Sequence, residues 1–401
     1  MAIDNIRQFY DEMSKAEKRV ADFMMEHPEE TLDLSIAELA KKSETSDATV
    51  IRMCRHIGYS GFAQMKLGLA GSLAAELKRP VSGYLIGIDV GGTNTKLMIM
   101  NEQQEVIAKR QIATRGEEGY ETAGDAMIQA IDFMFTEAGI EEPNVLAVAM
   151  GLPGTVDKEK NQTVWLSKLH WDGFNPAEKI GAHYHAPSFI DNDANINALG
   201  EYAFGSNGKN DNMVLITLGT GVGCGVIING KIYGGAYNMA AELGHMIVDA
   251  YDGDICLCGR RGHLEAYCSG SALKRDAVFL AGTCPDTVLH EYMKEAGGVF
   301  ENQMVTRGAK AGDQVCLRLL DRYIHYLAVG VTNVMMMYNP SIIVIGGGLS
   351  NAGELLLKPL NEKTKEMVAQ ERSWCPVVQA TLGSEAGMYG ACTLAGQSIG
   401  L

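Results

Sequence analysis

Long apolar runs are absent from this sequence, and that absence sets its first limits. No apolar run in the 401 residues reaches the length of about 18 residues that spans a bilayer, and the N-terminus has no apolar core of a secretory signal. The Walker A pattern of P-loop proteins is absent as well. We therefore expect a cytoplasmic protein of two or three domains with no membrane partner.

Positive charge is also scarce. The net charge of −15 opposes nucleic-acid binding over the whole surface. The segment from Ser46 to Arg79, however, contains five Lys and Arg residues and only two acidic residues, so it carries a local charge of +3. The nine cysteines are odd in number, and in a reducing compartment they favour free thiols or metal ligands over disulfides.

Residues 1–77 have a helical pattern throughout. Ser14 and Glu17 form a capping box, Ser35 caps a short helix, and a second short helix runs from about Asp47 to His56. Two short helices joined by a polar turn predict a helix-turn-helix, whose second helix can enter a DNA major groove. The side chains expected to face outward for DNA binding are Ser46, Thr49, Arg52 and Arg55. By pattern alone, a helical dimerisation domain is the alternative.

This N-terminal segment resembles the DNA-binding domain of the RpiR family of sugar-responsive regulators. The similarity rests on "SIAELA", "SDATVIRMCRHIGYSGF" and "MKLGLA". It implies a DNA-binding domain over residues 1–77, and "KRPVSG" at 78–83 reads as a linker by composition. RpiR regulators usually continue into a sugar-phosphate isomerase-type domain, which this chain lacks.

Two later segments share one pattern of strand, glycine-rich turn and strand. In residues 84–112, Asp89 ends the first apolar run, and in residues 214–235 the turn reads "LGTGVGCG". Bare glycine backbone lets phosphate approach the amides, so the repeat suggests a duplicated fold that clamps a nucleotide. A dinucleotide fingerprint would open a helix, whereas a strand-like run follows here. A purely structural glycine turn is the other alternative.

Two acids and a Cys/His group carry further chemistry. In "FIDNDANINALGE", Asp191 and Asp193 both lie where a strand changes to a helix, so either can face a cleft as a base or simply cap the helix. Four soft or borderline ligands with spacing suited to tetrahedral zinc follow within 19 residues: His245, Cys256, Cys258 and His263.

Residues 84–398 resemble the ROK family of repressors and sugar kinases. The motifs are "IGIDVGGTNTK", "GLPGTVD", "DNDANINALGE", "ITLGTGVGCGVI", "AAELGHMIV" and "CLCGRRGHLE". The resemblance implies an α/β two-lobed, actin/hexokinase-like (duplicated ribonuclease H-like) kinase domain over 84–401, with lobes of roughly 84–200 and 201–401. A small all-α helix-turn-helix domain precedes it.

The same resemblance assigns roles to individual residues. It makes Asp193 the catalytic base and gives the sugar Asn192, Glu242, His245 and Glu265. It places ATP, its phosphates and Mg²⁺ at Asp89, Gly91, Gly92, Thr93, Lys96, Gly219, Thr220, Gly221, Gly346 and Gly347. A structural Zn²⁺ is implied at His245, Cys256, Cys258 and His263, although the family usually has a third cysteine where His263 stands. Cys268 is a candidate replacement for it.

The resulting hypothesis is an ATP-dependent kinase for the 6-hydroxyl of an aldohexose or N-acetylhexosamine, fused to a reader of operator DNA. The intact "DVGGTNTK" and "LGTGVG" turns favour catalysis. A non-catalytic sugar-sensing repressor is the alternative, and a helical N-terminus used only for assembly is another. Because helix-turn-helix proteins usually read paired half-sites, we expect a homodimer or homotetramer.

Overall fold

A computed structural model describes residues 2–77, 83–166, 169–207 and 210–401. The chain divides into two compact units, residues 1–81 and residues 82–401. Most of the predicted linker, residues 78–82, lies outside the described residues. Within the described ranges, no helix has the length and apolar character needed to cross a membrane.

The first unit is entirely helical. Its helices are α1 (Ala2–Phe9), α2 (Lys15–Glu26), α3 (Pro28–Asp33), α4 (Ile36–Lys42), α5 (Asp47–His56) and α6 (Phe62–Leu77). Both predicted N-terminal caps are present, because the Glu17 and Glu38 carboxylates accept from the backbone N–H groups of Ser14 and Ser35 at 2.9 and 2.8 Å. A buried apolar core joins the helices, so α4 and α5 form the predicted helix-turn-helix around it.

The predicted outer face of α5 is correct except at Thr49. Ser46, Arg52 and Arg55 are exposed, whereas the Thr49 side chain is only 7% exposed. Thr49 lies one turn before the buried Met53, so it shares the inward face of the helix. Its hydroxyl lies 3.0 Å from that of Ser46, and the prediction that Thr49 faces outward is wrong.

The second unit begins with a mixed sheet. Its first elements are β1 (Tyr84–Val90), β2 (Asn94–Asn101), β3 (Val106–Ala113), α7 (Tyr120–Glu137), β4 (Val145–Leu152), β5 (Gly154–Asp157), β6 (Gln162–Leu166), α8 (Glu178–His183), β7 (Ser188–Asn192) and α9 (Asp193–Phe204). The strand order is β3-β2-β1-β4-β7, and β5 pairs with β6 as a separate hairpin. Strands β1 to β3 are antiparallel, and β4 and β7 join in parallel.

A second sheet repeats this plan. Its elements are β8 (Asn212–Leu218), β9 (Val222–Ile228), β10 (Lys231–Ile232), α10 (Glu265–Cys268), α11 (Gly270–Thr283), α12 (Leu289–Glu295), α13 (Gln303–Lys310), α14 (Gln314–Tyr338), β11 (Ile342–Gly346), α15 (Glu354–Met367), β12 (Val377–Gln379) and α16 (Ala386–Ser398). The order β10-β9-β8-β11-β12 again has two antiparallel pairs followed by two parallel ones. The predicted duplicated α/β fold, preceded in the sequence by an all-α domain, is confirmed.

Helices α9 and α16 fill the space between the two sheets. A buried core cluster contains residues from both sheets and from both helices, including Ala147, Ile196, Leu215 and Ala391. The C-terminal helix α16 thus packs on the first sheet. The predicted lobe of residues 201–401 is therefore wrong in including this helix. A side chain at Gly390 would overlap the backbone carbonyl of Ile196, so bare backbone permits the close approach.

We predict opposite effects for two glycine-to-alanine substitutions in helices. Gly390→Ala should lower the free energy of unfolding by at least about 1–3 kcal/mol, because its methyl group meets fixed backbone of α9. Gly282→Ala in α11 is the matched control: no atom lies within 4 Å of its new methyl group, and helix propensity should raise stability by about 0.5–1 kcal/mol. Thermal unfolding of the two full-length variants checks this, and equal shifts would contradict the packing described.

Candidate active site

The two glycine turns occupy equivalent positions in the two sheets. Residues 91–93 join β1 to β2, and residues 219–221 join β8 to β9, so each turn has three residues. The Gly91 N–H donates to the Asn94 carbonyl at 2.9 Å, and the Gly219 N–H donates to the Gly221 carbonyl at 3.0 Å. Gly92, Thr93, Gly219 and Thr220 are exposed. Both turns therefore present accessible backbone and hydroxyl groups, as phosphate binding requires.

Asp89 lies beside the first turn and close to helix α16. A side chain at Gly387 would overlap the Asp89 carboxylate, so the helix covers that carboxylate with bare backbone. Burial raises the pKa of Asp89, and Lys96, its partner across β1 and β2, opposes this rise. The Lys96 ammonium donates to the Ser384 carbonyl just before α16. Asp89 and Lys96 are thus held in place by the last helix.

Asp193 is the first residue of α9, and Asn192 caps this helix. The Asn192 Oδ1 accepts from the N–H groups of Ala194 and Asn195 at 2.9 and 3.3 Å. Its Nδ2 donates to the Gly154 carbonyl at 2.9 Å, so both polar ends of Asn192 already have partners. The capping alternative is therefore correct for Asn192, and it fixes where the Asp193 side chain begins.

The environment of Asp193 raises the pKa of its carboxylate. Burial, and secondly the charge of Asp89, raise the pKa of Asp193 to about 6. A hydrogen bond from the Ala194 N–H to Oδ1, at 2.9 Å, opposes this rise. A carboxylate with a pKa close to neutrality is ionised at pH 7 yet accepts a proton more readily than an ordinary aspartate.

Asp191 has a different role from Asp193. It is fully buried, and its Oδ1 accepts from the Asn192 N–H at 2.7 Å, from Asn195 Nδ2 at 2.9 Å and from Asn238 Nδ2 at 3.1 Å. Its Oδ2 lies 2.7 Å from the Lys158 ammonium. Because these groups surround the carboxylate, Asp191 organises the residues around the start of α9, whereas Asp193 lines a pocket.

A pocket of about 110 Å³ opens beside Asp193. Of the predicted residues, Asn192, Asp193 and Glu242 line it. The sequence analysis missed several other lining residues, which are Gly154, Thr155, Asn195, Cys224, Asn238 and Met239. Gly154 and Thr155 fall in the "GLPGTVD" motif and Cys224 in the "ITLGTGVGCGVI" motif, which gave a signal without a role for these residues, whereas Asn238 and Met239 gave none.

His245 and Glu265 lie outside this pocket's lining. The His245 Nδ1 is 3.1 Å from the Glu242 Oε2, so His245 contacts a lining residue. The Glu265 Oε2 accepts from the Val222 N–H at 2.9 Å, and its Oε1 lies 3.5 Å from the Cys256 Sγ. Glu265 thereby joins the second glycine turn to the Cys/His group.

The four predicted metal ligands lie together. The ligand atoms of His245, Cys256, Cys258 and His263 are all within 4.8 Å of one another. A tetrahedral zinc with bonds of about 2.0–2.3 Å spaces its ligands about 3.3–3.8 Å apart, so small shifts would close this group around the ion. Burial, and then His245, lower the pKa of His263, which keeps its imidazole neutral as ligation requires.

Cys268 does not belong to this group. It is fully buried, and its Sγ donates to the Tyr323 carbonyl at 3.4 Å. The suggestion that Cys268 replaces a missing ligand is therefore wrong, because the side chain is directed into the contact between α10 and α14.

Two adjoining cavities of about 600 and 650 Å³ extend beyond the second glycine turn. Both are large enough for a nucleotide-sized ligand. They share the residues Glu301, Asn302, Gln303, Gly348 and Leu349. The cavity of about 600 Å³ is also lined by Gly219, Thr220 and Lys274. Of the "GGG" glycines, only Gly348 lines them; Gly346 and Gly347, which were predicted, do not. Gly347, with a φ of +82°, packs against the Leu218 backbone.

Both units match known protein families. The sequence model of the ROK family matches residues 85–398, and that of the helix-turn-helix domain of the rpiR family matches residues 2–76. A glucokinase of Halalkalibacterium halodurans is 32% identical over 309 residues, which are 77% of this chain and 93% of the relative. A xylose repressor of Caldicellulosiruptor bescii is 28% identical over 337 residues, 82% of this chain and 83% of that protein.

A solved structure supports the same relationship. The crystal structure of a ROK family glucokinase from Streptomyces griseus, in complex with glucose and AMPPNP, superposes with a TM-score of 0.66. It is 31% identical, and the match covers 79% of this chain and all of that one.

Proposed function

The chain belongs to the ROK family, and from this premise we propose that it is an ATP-dependent hexose kinase joined to a DNA-binding domain. The observation that supports kinase activity is the environment of Asp193. Its carboxylate has a pKa raised to about 6 and lines a pocket beside a glycine turn. Buried acids with a raised pKa are concentrated at catalytic sites. The similarity to glucokinases supports the same reading.

The proposed reaction uses the residues as follows. Asp193 accepts the proton of the sugar 6-hydroxyl while that oxygen attacks the terminal phosphorus of ATP, and the bond from this phosphorus to the bridging oxygen breaks to release ADP. The turns at 91–93 and 219–221 hold the phosphates. The cavity of about 600 Å³ lined by Gly348, which we call the nucleotide groove, holds the rest of the nucleotide. Asp89 would hold Mg²⁺, which would neutralise phosphate charge. Glu242 binds sugar hydroxyls directly, and His245 orients Glu242.

The non-catalytic sugar-sensing repressor is the second candidate. The similarity to a xylose repressor and the RpiR-type domain favour it. Both candidates include sugar binding and operator DNA, and we propose that the chain acts as at least a homodimer, since paired half-sites are the usual target of such domains. They differ in whether Asp193 and the glycine turns are used for turnover.

A screen of aldohexoses and N-acetylhexosamines with ATP and Mg²⁺ tests the kinase directly. We expect a 6-phosphorylated sugar, and kcat/KM should fall as pH drops below about 6, because protonated Asp193 cannot accept the hydroxyl proton. Asp193→Asn should lose at least about 100-fold in kcat while its sugar affinity, measured by calorimetry, stays within a few fold. Sugar binding without any phosphorylation by the wild type would establish the repressor instead.

We also propose that zinc at the Cys/His group braces the sugar-binding residues. His245 connects the group to Glu242, and Glu265 connects it to the second glycine turn. Chelation of the metal, or Cys258→Ser, should remove one zinc per chain and weaken sugar binding by about tenfold. Cys284→Ser, outside the group, should change neither. Unchanged sugar affinity after complete zinc loss would refute the bracing role.

DNA binding is proposed for α5 and its exposed arginines. Arg52 forms an ion pair with Glu17 at 3.3 Å, so substituting it would also remove a contact within the unit. Arg55 is exposed and is therefore the better residue to substitute. Arg55→Ala should weaken binding to a duplex selected from a random library by the wild-type protein, by about fivefold or more. Arg19→Ala, an exposed arginine on α2, serves as control. Equal effects of the two substitutions would place the DNA contact elsewhere.

A further inference from the structure

Asn238 is a pocket residue that the proposed reaction does not use. It lies in the segment 233–242 that follows β10 and leads to Glu242, which we call the sugar loop. The Asn238 side chain is 8% exposed, and its backbone is left-handed with a φ of +55°. Asparagine tolerates this conformation better than most residues, although glycine adopts it most easily.

The Asn238 side chain connects the sugar loop to the first sheet. Its Nδ2 donates to the Asp191 Oδ1 at 3.1 Å and lies 3.3 Å from the Val156 carbonyl, which also accepts from it. Asp191 lies near the end of β7 in the first sheet, and Val156 lies in β5. The sugar loop, in contrast, follows β10 of the second sheet. The amide therefore forms a cross-link between the two sides of the pocket.

The cross-link ends on the residues that place the base. The Asp191 Oδ1 that accepts from Asn238 also accepts from the N–H of Asn192, the residue that caps the helix beginning at Asp193. Four residues after Asn238 in the same loop, Glu242 lines the same pocket. One amide thus ties the loop that carries the proposed sugar ligand to the residue that positions the start of α9.

We propose that Asn238 is a positioning residue that holds the sugar loop against Asp191 and so pre-organises the pocket for its sugar. The proposal rests on the function proposed above. Without the cross-link, the loop must be ordered when the sugar binds, so sugar affinity falls. Once the sugar is bound, the same pocket is complete, and kcat changes much less than the KM for sugar. The nucleotide groove, which the sugar loop does not line, keeps its affinity.

Asn238→Gly tests this with little backbone cost, because glycine readily adopts the left-handed conformation. Asn229→Gly is the matched control: Asn229 has a φ of +52° in the exposed turn between β9 and β10. Among the described residues its side chain has no hydrogen bond, since the one recorded at Asn229 is donated by its backbone N–H. Both substitutions thus change the same residue type in the same backbone conformation.

The experiment measures binding of D-glucose, N-acetylglucosamine and N-acetylmannosamine to wild type and both variants by calorimetry, with AMPPNP titrated separately. For whichever sugar the wild type binds, Asn238→Gly should weaken affinity by about tenfold, since one of its two bonds is to a charged group. AMPPNP affinity should stay within twofold, and Asn229→Gly should match the wild type. In the sugar-free protein, amide hydrogen exchange over 233–242 should quicken in Asn238→Gly alone.

Three results would overturn the proposal. Sugar affinity and exchange in Asn238→Gly equal to those in Asn229→Gly would show that the cross-link positions nothing. Equal losses of sugar and AMPPNP affinity, together with a lowered thermal midpoint, would show a general structural role instead. A wild type that binds none of the three sugars but binds AMPPNP would overturn the proposed hexose specificity first, and the inference with it.

Discussion

The burial of the Asp193 carboxylate near Asp89, with no cation paired to it among the described residues, is the constraint on which this site depends. Taking a carboxylate out of water disfavours its charged form, and the second acid adds to this, so the pKa rises to about 6. Several features maintain that environment. Helix α16 covers Asp89 with the bare backbone of Gly387, and Asn192 fixes the start of α9. The fold therefore sustains an electrostatic cost at the position where a base is useful.

What could be predicted from the sequence was mainly local. The caps at Ser14 and Ser35, helix α5, both glycine turns and the Cys/His group each depend on residues close together in the chain. The return of α16 to the first sheet, the burial of Thr49 and the use of Gly348 rather than Gly347 depend on packing between distant segments. The residue pattern alone, without the family resemblance, did not distinguish Asp191 from Asp193 for the same reason, because the groups that surround Asp191 include Lys158 and Asn238, far away in sequence.

Kinase and repressor share most of this architecture. Both need a sugar pocket, and the segment that carries His245 and Glu265 serves either, with or without the proposed zinc. The proposal of turnover rests on the raised pKa of Asp193 and on the similarity to glucokinases, and the N-terminal unit would then let the same sugar occupancy act on DNA.

The ionisation of Asp193 itself tests this account most directly. A ¹³C NMR titration of the aspartate carboxyl carbons in the sugar-free protein, repeated on Asp193→Asn for assignment, measures it without any substrate. The account predicts a resonance with a midpoint near 6 that disappears in the variant. A midpoint near the ordinary aspartate value of about 4 would contradict it, because the carboxylate would then be as well solvated as on the surface.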